Sequence, residues 1–386
     1  MKTLNFKSKS LPTITKLLQL ATFSVFLGRT WQHLYWDAPF RALLWDEKWL
    51  SGWVTRFTGM SWETYITSLE VDQNIAFAIK LFGLLYLICA LIALFTQHLP
   101  RPCHHLLLIG TLGLTFLAFL YCKERFFSIG QFFEYALQFG SPFFLWWWMG
   151  LKASSPSSRK EDLIQLQMDV SIPKESTNVL PSTPRMSFRR NLLMLAMKFQ
   201  RVVSRFLRND KIGVYSFLRK WGIPHQNKSS NTQNNNKNEI IPKSFFLSLK
   251  IAIALTFTCH GLYAIGYYPI PVNFMDMTMN ILRVDEAAAK IFLKTAGILD
   301  FIVAIGIFLP FKYARVCLLY ALFWGFGTTI ARIWAYFDWK WLDYVLLQWL
   351  HEAVLRMPHF LVPLVVLLGG TGNYFGSKDV EGETAK

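Results

Sequence analysis

Eight stretches of mainly apolar residues leave this chain few ways to fold. They fall at 16–36, 75–96, 105–121, 129–149, 245–266, 291–309, 315–336 and 345–368. Their lengths match the ~20 residues that a helix needs to cross a hydrocarbon layer of about 30 Å. Inside a bilayer each backbone N–H and C=O must find its partner within the protein, so a crossing segment is a helix or a strand of a closed barrel. The runs are continuous and do not alternate apolar with polar, which predicts helices. The expected fold is therefore all-α, a polytopic membrane protein of about eight transmembrane helices. Only 17% of the 386 residues are charged, against 53% hydrophobic, too few to coat a soluble domain of this size.

The first run follows Lys2, Lys7, Lys9 and Lys16, a basic start that a secretory signal also has. No small-residue cleavage pattern follows it, and "LGRTWQHLYW" carries the helix on, so a retained span is expected.

The formal net charge of +16 is placed unevenly. Residues 151–243 hold 17 Lys/Arg against 6 Asp/Glu, whereas 37–74 holds 3 against 6. Cytoplasmic loops collect Lys and Arg. Both termini and the basic middle are thus expected in the cytoplasm, 37–74 outside, and the protein in the cell inner (plasma) membrane. A cysteine placed at Ser157 should react with an impermeant reagent only after the membrane is opened. Labelling in intact spheroplasts would reverse the orientation.

The basic middle has its own pattern. Residues 151–186 are rich in Ser, Pro and charge, and 225–239 read "HQNKSSNTQNNNKNE". Such tracts bury too little apolar surface to offset chain entropy, which predicts disorder. Between them, at about 187–210, Lys198, Arg201, Arg205 and Arg208 recur on one helical face and Leu192, Leu195, Phe199, Val202 and Phe206 on another. A basic amphipathic helix of this kind suits the anionic lipids of the inner leaflet, or packs beneath the bundle. A linker between spans points to lipid as the partner, not to nucleic acid.

The linker separates two similar halves. "KLFGLLY" from Lys80 matches "KTAGILD" from Lys294, with Tyr86 opposite Asp300. "EYALQFGS" from Glu134 matches "EAVLRMPH" from Glu352 without a gap, so Gln138 meets Arg356 and Ser141 meets His359. Spacings of four and three place these side chains on one helical face. The expected organisation is a four-span unit at 1–150, a linker at 151–243, a second four-span unit at 244–370 and a tail at 371–386.

Charged groups at the centre of a span cost about 2.5–3.5 kcal/mol each, so they pair or line a wet cavity. Here they gather toward the outer half of the bilayer. The candidate ligand-binding set is Arg29, His33, Glu134, Gln138, His260, Asp300, Arg332, His351, Glu352 and Arg356. As a site it offers carboxylates and bases that relay protons or hold a polar head group. As structure, a Glu–Arg pair can simply lock two helices together. Lys80 and Lys294 have stems long enough to snorkel outward. The tryptophans (Trp31, Trp36, Trp45, Trp49, Trp53, Trp339, Trp341) read as an interfacial belt. The five cysteines form no C-x-x-C pair, no metal motif and no disulfide framework. No nucleophile elbow, phosphate-binding loop or dinucleotide fingerprint is present.

"CHGLYAIG", "KTAGILDFIVAIGIFLP" and "RMPHFLVPLVVLL" resemble segments of the DoxX-like superfamily of four-span membrane modules. Its relatives include the DoxD subunit of thiosulfate:quinone oxidoreductases and the membrane domain of vitamin K-dependent carboxylases. The Gly-x-x-acid pattern followed by glycine appears as Gly297, Asp300 and Gly306; in the first half Tyr86 takes the acidic place. The resemblance implies a tandem pair of such modules and admits a quinone as cofactor, with a soluble redox partner. The expected function is binding or processing of a small lipophilic or polar molecule in an outward-facing pocket. Proton-coupled transport and a non-enzymatic scaffold are the other two classes open at this point, and whether the protein is an enzyme is left undecided.

Overall fold

A computed structural model describes residues 11–153 and 242–369. The predicted linker helix at about 187–210, the two polar tracts and the tail after 370 lie outside the described residues. Among the described residues the secondary structure is helical, and no strand occurs.

The part before the linker contains α1 (Leu11–Tyr35), α2 (Arg41–Leu44), α3 (Glu47–Thr58), α4 (Trp62–Thr67), α5 (Leu69–Phe95), α6 (Arg101–Glu124), α7 (Ile129–Glu134) and α8 (Ala136–Ala153). The part after it contains α9 (Lys243–Ile265), α10 (Val272–Leu282), α11 (Glu286–Gly306), α12 (Phe311–Ala335), α13 (Leu342–Leu355) and α14 (Pro358–Gly369), with a 3₁₀ turn at Trp339–Trp341. Pro100, Pro242, Pro271 and Pro310 stand just ahead of α6, α9, α10 and α12. A helix start needs no N–H there, so proline sets the entry without loss. Asp46, Ser61, Ser68 and Asp285 cap α3, α4, α5 and α11 through their side chains.

Six segments are long and apolar enough to cross a membrane: α1, α5, α6, α9, Lys312–Ala335 and Trp339–Gly369. The third expected run proves to be a 24-residue helix. Two expectations are corrected. The runs at 129–149 and 345–368 are not single helices. The first divides at Tyr135 into α7 and α8, and the second at Arg356–Met357 into α13 and α14, where Pro358 begins the new helix. Proline cannot continue the hydrogen-bond ladder of the preceding helix. The run at 291–309 does form a helix, but α11 carries Glu286, Lys290, Lys294 and Asp300.

The bundle exposes apolar stripes and buries, beside its apolar core, a cluster of polar and charged side chains. On α5 the exposed side chains include Phe77, Leu81, Leu84, Ile88 and Leu91; on α11 they include Ile291, Ile298, Ile302 and Ile305. Each set recurs at helical spacing and forms a stripe that water would penalise but hydrocarbon accepts. Lys80 and Lys294 lie on these outward faces. Arg29, Gln32, His33, Gln138, Asp300, Arg332 and His351 are buried instead. α1 lies against α5, α8, α13 and α14, and α9 against α7, α8, α11 and α14. The apolar core at the opposite end from this polar group joins the two parts of the chain through Trp148, Phe245 and Phe246. The indole N–H of Trp148 donates to Thr15 Oγ1 at 2.9 Å.

Two close helix approaches depend on glycine. A Cβ on Gly28 would sit 2.8 Å from the His351 carbonyl oxygen and 2.7 Å from Leu355 Cβ. One on Gly325 would collide with the His359 carbonyl oxygen. Both glycines therefore set α1 and α12 tightly against the broken helix pair α13–α14.

The stretch 37–74 folds over one end of the bundle. Arg41 reaches Asp72 and Asp37, each at 2.8 Å. Lys123 at the end of α6 binds Asp46, and this hydrogen bond holds the Asp46 carboxyl below the usual carboxylate range.

Candidate functional site

The polar groups meet beneath 37–74, at the end of the bundle where α1 and α12 finish. Arg29 and Gln32 stand one turn apart on α1, so they share a face. The Arg29 guanidinium donates to Gln138 Oε1 at 2.6 Å and to Gln32 Oε1 at 2.6 Å. Gln32 Nε2 donates to the Tyr121 hydroxyl at 2.6 Å. The guanidinium also lies over the rings of Tyr121 and Tyr135, with centroids at 5.4 and 5.2 Å. These two rings are stacked on each other. A cation over aromatic faces gains about 0.5–2 kcal/mol, more when water is excluded. Arg29 is thus fixed on three sides, yet its Nε has no hydrogen-bond partner.

Opposite it stands Glu352, on the last turn of α13 before the helix break. Its Oε2 lies 3.6 Å from Arg356 Nε and 3.8 Å from Arg332 Nε, and its Oε1 lies 3.9 Å from His351 Nε2. Three cationic or potentially cationic groups therefore surround one carboxylate. None of the three reaches hydrogen-bonding distance, which ends near 3.2 Å. The Nε atoms of Arg332 and Arg356 are buried without a hydrogen-bond partner, and so is His351 Nδ1. Arg332 lies over the Trp349 ring at 5.6 Å, and His351 stacks on Trp36 at 6.3 Å. The Glu352 side chain is 25% exposed, against 10% and 11% for the two arginines. The carboxylate is thus the least enclosed member of the group.

Glu134, at the other helix break, receives a hydrogen bond from Gln131 at 3.2 Å. Its charge acts on Arg332 and Arg356, and that of Glu352 acts on Arg29 as well. The group comprises Arg29, Arg332 and Arg356 against Glu134 and Glu352, a surplus of one positive charge with the histidines neutral.

Of the ten residues expected from the sequence, seven come together here: Arg29, Glu134, Gln138, Arg332, His351, Glu352 and Arg356. The other three do not. His33 binds the Arg29 carbonyl through Nδ1 at 2.7 Å and packs edge-on against Tyr86 and Phe40, facing α5 rather than Glu352. Its neighbours on α5, Gly83 and Tyr86, hold it on that side. His260 and Asp300 pair with each other, Nδ1 to Oδ2 at 3.6 Å, in the second half. The single helical face expected for Glu134, Gln138 and Ser141 is also corrected: Glu134 belongs to α7 and the other two to α8, although all three are buried. Tyr121, Tyr135 and Trp349 escaped the sequence reading. Aromatic residues are too common here to single any out, though Tyr135 adjoins Glu134 directly.

Among the described residues no group of three or more His, Cys, Asp or Glu side chains is placed to hold a metal ion. Comparison with protein-family models, with curated proteins and with solved structures finds no match for this chain.

Proposed function

We propose that this protein is a multi-pass membrane protein that binds a small molecule with an anionic head group between Arg332, Arg356 and Glu352. One observation carries this reading. Two buried guanidinium groups face the same carboxylate oxygen at 3.6 and 3.8 Å, and their Nε–H groups bond to nothing. A buried donor left open costs about 1–3 kcal/mol, more when charged. Held apart and short of one negative charge, the group suits an incoming carboxylate or phosphate, with Glu352 accepting from the ligand's own hydroxyl or taking up a proton. Trp36, Trp349 and the Tyr121–Tyr135 stack offer apolar walls to the rest of the molecule.

The same proposal takes the chain as two four-span units of the DoxX-like kind, with both termini cytoplasmic and the pocket opening outward in the inner membrane. The order of elements supports it. α1, α5, α6 and the broken pair α7–α8 run in the same order as α9, α11, α12 and the broken pair α13–α14. The breaks fall about one turn apart when Glu134 is set on Glu352. Broken helices at a polar site are also common in transporters. That observation favours a second reading, in which the bound acid is carried across.

Mass spectrometry of the protein purified in mild detergent tests the binding reading. An acid of one chemical class should accompany the wild type and be at least tenfold depleted in Arg356→Gln. A neutral quinone in its place, or an acid retained equally by the variant, contradicts it. Uptake of that acid into proteoliposomes separates transport from binding alone.

A further inference from the structure

A second polar group lies among α9, α11 and α12, apart from the arginines. Asp300 on α11 is 1% exposed. Its Oδ1 is approached by the Tyr320 hydroxyl at 3.5 Å, beyond the usual length of an O–H···O bond. Its Oδ2 has no hydrogen-bond partner and lies 3.6 Å from His260 Nδ1. The indole N–H of Trp324 faces Asp300 but is itself buried without a hydrogen-bond partner. From α10, the Phe274 ring covers the imidazole of His260, with centroids 5.1 Å apart. On α14, His359 lies within reach of the charge of His260, and from α7, Glu134 acts on the neighbouring Cys259.

A lone ionised carboxylate in such surroundings is costly, and nothing here satisfies it fully. An imidazole beside it changes the balance. With one dissociable proton the pair is neutral overall, either as imidazole and carboxylic acid or as imidazolium and carboxylate. The proton passes from Nδ1 to Oδ2 without a change in net charge. Losing it to water leaves the pair at −1, and a second proton brings it to +1. Both charged states are disfavoured away from water.

We propose that His260 and Asp300 form a proton-binding site that holds one proton between them and exchanges it with water from the pocket side. The site belongs to the second half alone. The position matched to Asp300 in the first half is Tyr86, a phenol whose buried hydroxyl has no partner. A proton taken up here lies near His359, whose Nδ1 bonds the Arg356 carbonyl oxygen at 2.8 Å, so it is placed to respond to events at the arginines. The inference does not depend on an anion being the ligand.

Infrared difference spectroscopy of the full chain in lipid bilayers, between neutral and mildly acidic pH, tests it without added ligand. Carbon-13 labelling of aspartate identifies the carbonyl stretch of a protonated aspartic acid by its shift. The wild type should show either such a band or, with the proton on the ring, an imidazolium band of His260, and Asp300→Asn should lose it. If Asp300→Asn does not fold, Asp300→Glu gives the same information, because the band then ceases to respond to the aspartate label. A wild type with neither a label-sensitive carboxylic acid band nor an imidazolium ring band that His260→Gln removes, or bands that persist unchanged in Asp300→Asn, overturns the proposal.

Discussion

Glu352→Gln is expected to lower the stability of the protein by about 3–5 kcal/mol, the range for stranding buried charge by removing its partner. The amide keeps the shape of the side chain but withdraws the negative charge that faces Arg332, Arg356 and His351 at 3.6–3.9 Å. Arg29, Arg332 and Arg356 are then left with Glu134 alone. The repulsion is strongest between Arg332 and Arg356, which share the Glu352 oxygen. Adding Arg356→Gln to Glu352→Gln should therefore recover part of the loss, an effect that independent sites would not give. Glu134→Gln serves as the control. Its carboxylate has a hydrogen bond from neutral Gln131 and no ion pair within 4.0 Å among the described residues, so it should cost clearly less. Melting temperatures in detergent for the three single and double variants decide this. Equal losses for Glu352→Gln and Glu134→Gln would show that Glu352 does not neutralise the arginines.

Gly28→Ala should disturb the same site from behind. The added methyl would meet Leu355 Cβ at 2.7 Å, the His351 carbonyl oxygen at 2.8 Å and the Leu355 nitrogen at 2.9 Å. Two of these are backbone atoms of α13, which cannot turn aside as a flexible side chain does. α1 and α13 must move apart, at a cost of about 1–3 kcal/mol for an overpacked contact. The shift separates Arg29 on α1 from Glu352 on α13, so ligand retention should fall together with stability. Gly52→Ala on α3 has nothing within 4 Å of the new methyl and should leave retention unchanged and stability equal or slightly higher. Parallel melting and ligand-retention measurements check the pair. Loss of stability with full retention in Gly28→Ala would detach this helix contact from the site.

Much of this was readable in the sequence because a bilayer imposes simple rules. Apolar length gave the helices, and the cost of charge in hydrocarbon marked Arg29, Arg332, Glu352 and Arg356 as residues that must meet something. Their convergence follows from burial, since no other solvent is offered to them. The helix breaks were less visible. Pro358 marks the second, yet the expected span at 345–368 ran through it, and Tyr135 ends α7 with no residue that breaks helices by itself. His33 was drawn into the expected set by its distance along α1, whereas the facing direction, set by α5 through Gly83 and Tyr86, excludes it. The separation of His260 and Asp300 into their own pair depends on how α9 and α11 pack, and spacing along one chain carries no information about that.

The central claim is that Arg332 and Arg356 hold an anion. The most direct measurement is binding of the acid identified by mass spectrometry to wild type, Arg332→Lys and Arg356→Lys in nanodiscs at low and high salt. Lysine keeps the charge but loses the guanidinium fork, which binds carboxylate or phosphate through two parallel bonds. Affinity should drop at least tenfold in each lysine variant while the melting temperature stays near the wild-type value. Undiminished binding in both variants would contradict the account and leave the arginines as partners of Glu352 alone.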